Sequence, residues 1–216
     1  MKTVASVQAR LGSTRLPGKV LLHLGQKRIV QWVLDRAEAA TSIDQTIAAI
    51  GDRPENEAII EYCDREEIRT IVGPEENLLA RHLAVAEQTD CDLLVRITAD
   101  CPFVPSAEID RVVEAHQENG ARYTTNNTDA MPIGTAVDVL EPTLLADLDE
   151  LDETHPVKRT RAEPDAWQTV REDNSAWNKF SHVHMAVDTP DDYWSLTDAV
   201  EAIGDDPQSV AQWLSQ

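Results

Sequence analysis

The stretch VASVQARLGSTRLPGKVLL, residues 4–22, opens with an apolar run that predicts a buried strand over residues 4–7. A loop follows that carries two glycines, a proline, two hydroxyl side chains and three fixed cations, Arg10, Arg15 and Lys19. α/β proteins hold phosphates at such a junction, because backbone N–H groups and guanidinium groups converge there on an anion. The sequence therefore predicts an anion-binding loop, and a solvated surface loop is the alternative.

Two other phosphate-binding motifs do not fit this loop. Five residues separate Gly12 from Gly18-Lys19 where a P-loop has four, and Val20 stands where a P-loop needs Ser or Thr for Mg²⁺. The chain also lacks the GxGxxG fingerprint of dinucleotide-binding folds. The spacing therefore excludes both motifs.

The chain is strongly acidic except near its N-terminus. It has 39 Asp and Glu against 19 Lys and Arg, a formal net charge of −20. Residues 1–34 contain six cations and no carboxylate, which favours binding of a polyanion by that segment. The overall charge argues against nucleic-acid and anionic-membrane partners, and it is typical of a halophilic protein that must stay soluble in concentrated salt.

Cysteine usage and hydropathy predict a cytoplasmic protein. Cys63, Cys91 and Cys101 are odd in number and lack metal-ligand spacing, which indicates reduced thiols. Residues 1–7 are too short for a leader, and no apolar run approaches the roughly 20 residues of a membrane helix. We therefore expect no membrane insertion.

Strand and helix patterns alternate through the first half of the chain. This alternation predicts an α/β fold of three α/β/α layers around a mainly parallel, mixed sheet. We expect a single domain over residues 1–216, with an irregular excursion at 141–180. Helices are predicted over 29–40, 55–64 and 78–87, and strands over 46–50, 68–72 and 93–98.

The strand LLVRIT, residues 93–98, runs directly into Ala99-Asp100-Cys101-Pro102. Open α/β sheets gather their ligands at the carboxyl ends of the strands, which is where this places Asp100. A single Asp beside a triphosphate is the expected ligand of Mg²⁺, which takes one or two carboxylates plus phosphate oxygens. The alternative is a turn or helix-cap role for Asp100.

A second carboxylate follows another apolar segment in HMAVDTPDD, residues 184–192. Val183, Met185 and Val187 predict a strand that ends at Asp188. Thr189 and Asp192 form the pattern of a helix-start capping pair, with a proline at the first helical position. That pattern leaves Asp188 without a structural explanation and places it, like Asp100, at the carboxyl end of a predicted strand.

In these segments the chain resembles the cytidylyltransferases that make CMP-activated sugars, including CMP-Kdo and CMP-sialic acid synthetases. The similarity is closest to the SpsF-like, spore-coat-polysaccharide branch, and it covers VQARLGSTRLPGKVLL, RITADCPFV and VDTPDD. It implies the nucleotide-diphospho-sugar transferase fold, which is GT-A-like and Rossmann-like. Ala99 replaces the usual Gly of the second segment, which requires a negative φ at this position.

The resemblance assigns roles to three groups of residues. Nucleotide contacts are implied for Gln8, Ala9, Arg10, Gly12, Ser13, Arg15, Lys19, Arg81 and Asp100, of which Arg10, Arg15, Lys19 and Asp100 would be catalytic. Mg²⁺ would be held by Asp100 and Asp188. Substrate contacts are implied for Tyr123, Asn126, Gly134, Asp138 and His155, while Leu140 stands where the family has Glu. The resemblance also implies a homodimer, with residues 141–180 as a lid or dimer contact.

The predicted function is transfer of CMP from CTP to a sugar or sugar acid, with release of pyrophosphate, for polysaccharide or glycan synthesis. The choice of CTP as the nucleotide rests on the resemblance alone, and the residues do not identify the acceptor. One alternative is a GT-A-type glycosyltransferase, which Cys101 and Pro102 disfavour because they follow Asp100 where an Asp-x-Asp pair is usual. The other is a non-catalytic nucleotide-binding module, which would be expected to lose a metal carboxylate.

Overall fold

Strands and helices alternate along the chain, and the computed structural model describes all 216 residues. The strands are β1 (Thr3–Ala9), β2 (His23–Leu24), β3 (Lys27–Arg28), β4 (Gln45–Gly51), β5 (Thr70–Gly73), β6 (Leu93–Thr98), β7 (Tyr123–Thr125), β8 (Asp138–Leu140) and β9 (Thr169–Arg171). The helices are α1 (Ile29–Glu38), α2 (Glu57–Arg65), α3 (Leu78–Thr89), α4 (Ser106–Asn119), α5 (Pro142–Asp149), α6 (Lys158–Ala162), α7 (Pro190–Ile203) and α8 (Pro207–Leu214).

Seven strands form one mixed sheet in the order β5-β4-β1-β6-β8-β7-β9. β1 lies at its centre, parallel to β4 and β6, and β5 is parallel to β4. β8 runs antiparallel to β6 and β7, while β9 is parallel to β7. This confirms the predicted mainly parallel, mixed sheet, and it places the carboxyl ends of β1 and β6 side by side.

Alternate residues of the central strands face opposite helical layers, as a period of two requires. Ala5 and Val7 of β1 pack with apolar residues of α1, α2 and α4 on one face of the sheet. Val4 packs with the buried side chains of α3 and α5 on the other face. A further core joins α7 and α8 to β2 and to residues 177–187. The expected three layers are therefore present.

The predicted strand over residues 183–187 is wrong. Only one isolated bridge, between Ile133 and His184, forms there. The segment is instead held by three backbone bonds: Ile133 N to Val183 O (3.1 Å), Met185 N to Ile133 O (2.7 Å) and Val187 N to Asp100 O (2.8 Å). The alternating apolar residues here are buried in the core that includes α7 and α8, and they do not belong to the sheet.

Residues 141–180 are partly built into the fold. Leu144, Leu145 and Leu148 of α5 are fully buried against α3, and β9 extends the sheet beside β7. Trp177 is also buried, in the core beneath α7. The predicted excursion is therefore part of the packed fold at both of its ends.

None of the helices is both long enough and apolar enough to cross a membrane.

Gly134 allows the close approach that positions residues 183–187. Its φ is +97°, and a Cβ added there would lie 2.6 Å from the backbone nitrogen of Ala186. Gly120 provides a matched control, because it also has a positive φ (+58°) but has open space around it.

We expect Gly134→Ala to lower the free energy of unfolding by about 2–4 kcal/mol, from backbone strain and overpacking together. Gly120→Ala should cost about 1 kcal/mol, for the left-handed conformation alone. Urea unfolding followed by tryptophan fluorescence measures both values. Equal losses would contradict the view that contact with Ala186 requires the glycine.

Candidate active site

The loop after β1 is closed by hydrogen bonds to its own backbone. The carbonyl oxygen of Leu11 accepts from Ser13 N (2.8 Å) and Gly18 N (3.0 Å). Leu11 N donates to Oδ1 of Asn56 (2.8 Å), a side chain that is itself fully buried. Gly18 adopts a left-handed conformation (φ 72°) and Lys19 begins a short 3₁₀ turn, Lys19–Leu21. The loop therefore has a fixed shape that turns the Lys19 side chain back toward the sheet.

Lys19 joins the two predicted metal carboxylates. Its Nζ lies 2.6 Å from Oδ2 of Asp100 and 3.1 Å from Oδ1 of Asp188, and Arg15 Nη2 donates to the same Asp188 oxygen at 2.9 Å. Asp100 follows β6, whereas Asp188 is brought beside it by the bond from Val187 N to Asp100 O. The structure therefore brings together the loop cations and both carboxylates, as the sequence predicted, although Asp188 does not end a strand.

A cavity of about 480 Å³, here called the first cavity, opens over the carboxyl ends of β1 and β6. It contains all the residues predicted to contact nucleotide or metal, together with His155. Its lining also includes residues that the sequence did not single out, among them Thr98, Glu75 and Thr154. The predicted residues are Gln8, Ala9, Arg10, Gly12, Ser13, Arg15, Lys19, Arg81, Asp100 and Asp188.

A second cavity of about 490 Å³ adjoins it, between β6 and the segments 126–136 and 181–188. Asn126 and Gly134, both predicted substrate residues, line this second cavity. Arg96 and Arg161 contribute the cations of its wall. Thr98, Asp100 and Asp188 line both cavities, so the two carboxylates lie at the boundary between them.

Asp138 is the centre of a buried polar cluster beneath the second cavity. Its carboxylate accepts from Arg96 Nη1 (2.5 Å), Arg161 Nη2 (2.6 Å), Tyr123 OH (2.6 Å) and Thr125 Oγ1 (2.8 Å). Burial alone would raise the pKa of Asp138, but the two guanidinium groups lower that pKa to about 2. The carboxylate is therefore ionised at neutral pH and holds both arginines in place.

The prediction that Tyr123 and Asp138 contact the substrate directly does not match this geometry. Tyr123 is fully buried, Asp138 is 1% exposed, and neither lines the first or the second cavity. Burial and the nearby Asp138 carboxylate raise the pKa of the Tyr123 hydroxyl above its usual range. Both residues support the wall through Arg96 and Arg161. No local sequence pattern signals this role, because Arg161 comes from α6 and reaches them only in the folded chain.

The remaining predicted residues have defined places. Asn126 is fully buried; its Oδ1 accepts from Val137 N (2.7 Å) and its Nδ2 donates to Thr135 O (3.1 Å). The Arg81 guanidinium donates to the carbonyls of Pro74 and Glu75. Burial, with Arg96 and Arg161 nearby, lowers the pKa of His155 to about 4, so its ring is neutral at pH 7. Ala99 does not have a positive φ, which meets the requirement for an alanine there.

Cations and carboxylates balance in the first cavity. Four cations (Arg10, Arg15, Lys19, Arg81) and four carboxylates (Glu75, Glu76, Asp100, Asp188) line it. No group of three or more His, Cys, Asp or Glu side chains is arranged to hold a metal ion. Asp100 and Asp188 nevertheless form a pair of hard oxygen donors with side chains 26% and 23% exposed, which suits a divalent ion that also binds phosphate oxygens.

Structural comparison identifies the class of fold. The chain superimposes on a cytidylyltransferase from Leptospira borgpetersenii with a TM-score of 0.90 and 23% identity, covering 100% of this chain and 93% of that one. It also matches CMP:2-keto-3-deoxy-manno-octonic acid synthetase, solved in complex with CTP, with a TM-score of 0.70 and 17% identity over 94% and 99% of the two chains. The fold is therefore the Rossmann-like nucleotidyltransferase fold, as the sequence predicted.

Sequence comparison defines the family. The family model described as cytidylyltransferase matches residues 4–204, and the chain belongs to this family. A curated relative is the spore coat polysaccharide biosynthesis protein SpsF of Bacillus subtilis, 27% identical over 96% of this chain and 90% of that protein. The resemblance inferred from the three motif segments is thereby confirmed over nearly the whole chain.

We expect Asp138→Asn to cost about 3–5 kcal/mol of unfolding free energy, because Arg96 and Arg161 would lose their shared counter-ion. Denaturant unfolding measures the loss. Asp165→Asn is the control, because Asp165 is exposed and should change stability by no more than about 0.5 kcal/mol.

The same two variants should also differ in how their free energy of unfolding depends on pH. The pKa of Asp138 is lowered on folding, so its stabilisation is complete above about pH 4 and is lost as pH falls toward about 2. Asp138→Asn should flatten the stability profile over that range relative to Asp165→Asn. Parallel profiles would contradict the assigned role of the Asp138 charge.

Proposed function

We propose that this protein transfers CMP from CTP to a sugar or sugar acid and releases pyrophosphate, for synthesis of a polysaccharide or glycan. The observation that carries the proposal is the position of Asp100 and Asp188 on the boundary of two adjoining cavities. One cavity is reached by the cationic loop and suits a triphosphate, and the other suits the acceptor. The family of the chain and its similarity to SpsF support the same activity.

The reaction requires an acceptor oxygen to attack the α-phosphorus of CTP in line with the departing pyrophosphate. Catalysis of such a transfer depends on positioning and on stabilisation of charge. An acceptor in the second cavity would face a nucleotide in the first cavity across Asp100 and Asp188. Lys19, Arg15 and Arg10 would then neutralise the negative charge that grows on the pyrophosphate as the bond breaks.

Asp100 and Asp188 fit a divalent cation, and Mg²⁺ is the ion we propose. Their oxygens are hard donors, and each carboxylate has one oxygen on Lys19. The other oxygen of Asp100 lies 3.6 Å from Cys101 Sγ, and that of Asp188 lies 3.4 Å from His184 Nε2. Bound there, Mg²⁺ would supply positive charge to the phosphate oxygens and lower the pKa of the acceptor hydroxyl. Lys19 and Arg15 would then be able to donate to phosphate.

Three further properties belong to the same proposal. We propose that the protein acts in the cytoplasm and forms a homodimer, and that part of residues 150–177 acts as a lid or dimer contact. The last point is supported by Thr154 and His155, which lie in the lining of the first cavity, and by Arg161, which lies in that of the second. A lid placed there would contact both substrates.

Lys19→Ala, Asp100→Asn and Asp188→Asn should each reduce CTP-dependent pyrophosphate release at least tenfold, about 1.4 kcal/mol of transition-state stabilisation. The assay supplies each nucleoside triphosphate with Mg²⁺ and a panel of sugar acids and sugar 1-phosphates. Chelation of divalent ions with EDTA should abolish turnover. Arg69→Ala and Asp198→Asn are the controls, because both side chains are exposed and neither lines the first or the second cavity.

Normal turnover in any of the three site variants would remove that residue from the mechanism. Failure of the wild-type protein to release pyrophosphate from CTP with every acceptor would argue against the proposed reaction. Retention of full activity in EDTA would contradict the metal role of the two carboxylates.

A further inference from the structure

A chain of hydrogen bonds lies behind the wall of the first cavity, at the carboxyl end of β1. Arg96 Nε donates to Oε1 of Gln8 at 2.8 Å, and His82 Nε2 lies 3.1 Å from the same oxygen. His82 Nδ1 lies 2.8 Å from the hydroxyl oxygen of Ser6. Ser6 and His82 are fully buried and Arg96 is 9% exposed, so protein partners alone fix this chain.

The direction of each bond in the chain follows from the chemistry of its members. A guanidinium group has no acceptor, so the Gln8 atom that faces Arg96 must be its carbonyl oxygen. An oxygen acceptor at Gln8 requires a proton on Nε2 of His82. Burial, with Arg96 and Arg81 nearby, lowers the pKa of His82 well below its usual value, so the ring is neutral and its Nδ1 accepts from Ser6.

The orientation of the Gln8 amide group is therefore determined, and its nitrogen is the atom to which no protein group is hydrogen-bonded. Gln8 is half-buried and lines the first cavity, and its nitrogen has no hydrogen-bond partner within the protein. The Arg96 guanidinium, which can only donate, decides this orientation. The Gln8 side chain thus presents two N–H donors toward the cavity.

We propose that Gln8 is a specificity-determining residue whose amide nitrogen donates to a neutral acceptor on the nucleoside, a base carbonyl or a ribose oxygen. The inference rests on the proposed function, because it takes the ligand of the first cavity to be a nucleotide. His82 and Arg96 are positioning residues that act through Gln8.

A nucleoside acceptor suits this donor better than a phosphate does. Lys19 and Arg15 already provide cations beside Asp100 and Asp188, where the triphosphate is expected. The Gln8 side chain is hydrogen-bonded to Arg96 and His82 and to neither carboxylate, and it carries no charge. A few fixed neutral donors are what orient the uncharged part of a ligand in such a site.

Gln8→Glu tests the proposal with almost no change in shape. Glutamate keeps an oxygen for Arg96 and His82 but replaces the N–H donors with a second acceptor oxygen. We expect the KM for CTP to rise at least about tenfold, the effect of a lost hydrogen bond plus an unpaired acceptor, while kcat changes less than about threefold. Thermal unfolding of the variant checks that it is folded, and Gln8→Met is the second variant if it is not.

His82 provides the test of positioning. His82→Gln retains an N–H donor to Gln8 and should keep the KM for CTP within about threefold of wild type, whereas His82→Leu should raise it without an equal fall in kcat. A purely structural role would lower the amount of active enzyme and leave KM unchanged. That result would overturn the positioning role.

2′-Deoxy-CTP distinguishes one candidate hydrogen-bond acceptor, the ribose 2′-hydroxyl, from the others. If the penalty of Gln8→Glu disappears with this substrate, Gln8 contacts the 2′-hydroxyl; if the penalty persists, it contacts the base or another ribose oxygen. Both results support the inference. An unchanged KM for CTP in both Gln8 variants would overturn it while leaving the proposed function intact. A wild-type protein that neither binds nor turns over CTP would instead remove the proposed function, and this inference with it.

Discussion

The ammonium group of Lys19, placed between Asp100 and Asp188, is the interaction on which the site depends. Lys19 is 8% exposed, and a cation at that burial is stable only when it is paired. Its presence also relieves the repulsion between two carboxylates that both lie within 3.1 Å of it. Three distant parts of the chain must be correct for this contact to form. The loop after β1 delivers the cation, β6 delivers one acid, and the segment anchored by Ile133 and Gly134 delivers the other.

A second buried charge cluster supports the same edge of the sheet. Asp138 holds Arg96 and Arg161 beneath the second cavity, and Arg96 reaches from there to Gln8 at the first cavity. Arg96 thus connects the walls of both cavities through hydrogen bonds, and Asp100 and Asp188 line both cavities. Because an ion pair at this burial is costly to break, the relative position of the two cavities is fixed more firmly than loops alone would allow.

Much of this arrangement could be predicted from local sequence. Residues 4–22 indicated a strand and an anion-binding loop, residues 93–100 indicated a strand with an acid at its end, and the Thr189–Asp192 capping box forms as expected. The errors concern contacts between distant segments. The alternating residues 183–187 satisfy the pattern of a strand, but their backbone partners are Ile133 and Asp100. Tyr123 and Asp138 match a substrate motif, but Arg161 covers them, and no local pattern encodes that contact.

The distribution of charge is another property that local sequence predicts only in part. Residues 1–34 carry no carboxylate, and that segregation favoured binding of a polyanion by the segment. Folding brings Glu75, Glu76, Asp100 and Asp188 into the same cavity, so its four cations face four acids and the net charge of the lining is near zero. Long-range attraction therefore contributes little to binding of a triphosphate by a protein of charge −20. Binding would instead depend on short-range donors of fixed direction and, in the proposed mechanism, on the divalent cation held by the two acids. The rigidity of the loop and the Lys19 contact matter for this reason, because donors that are already in place lose little entropy when they bind the phosphates.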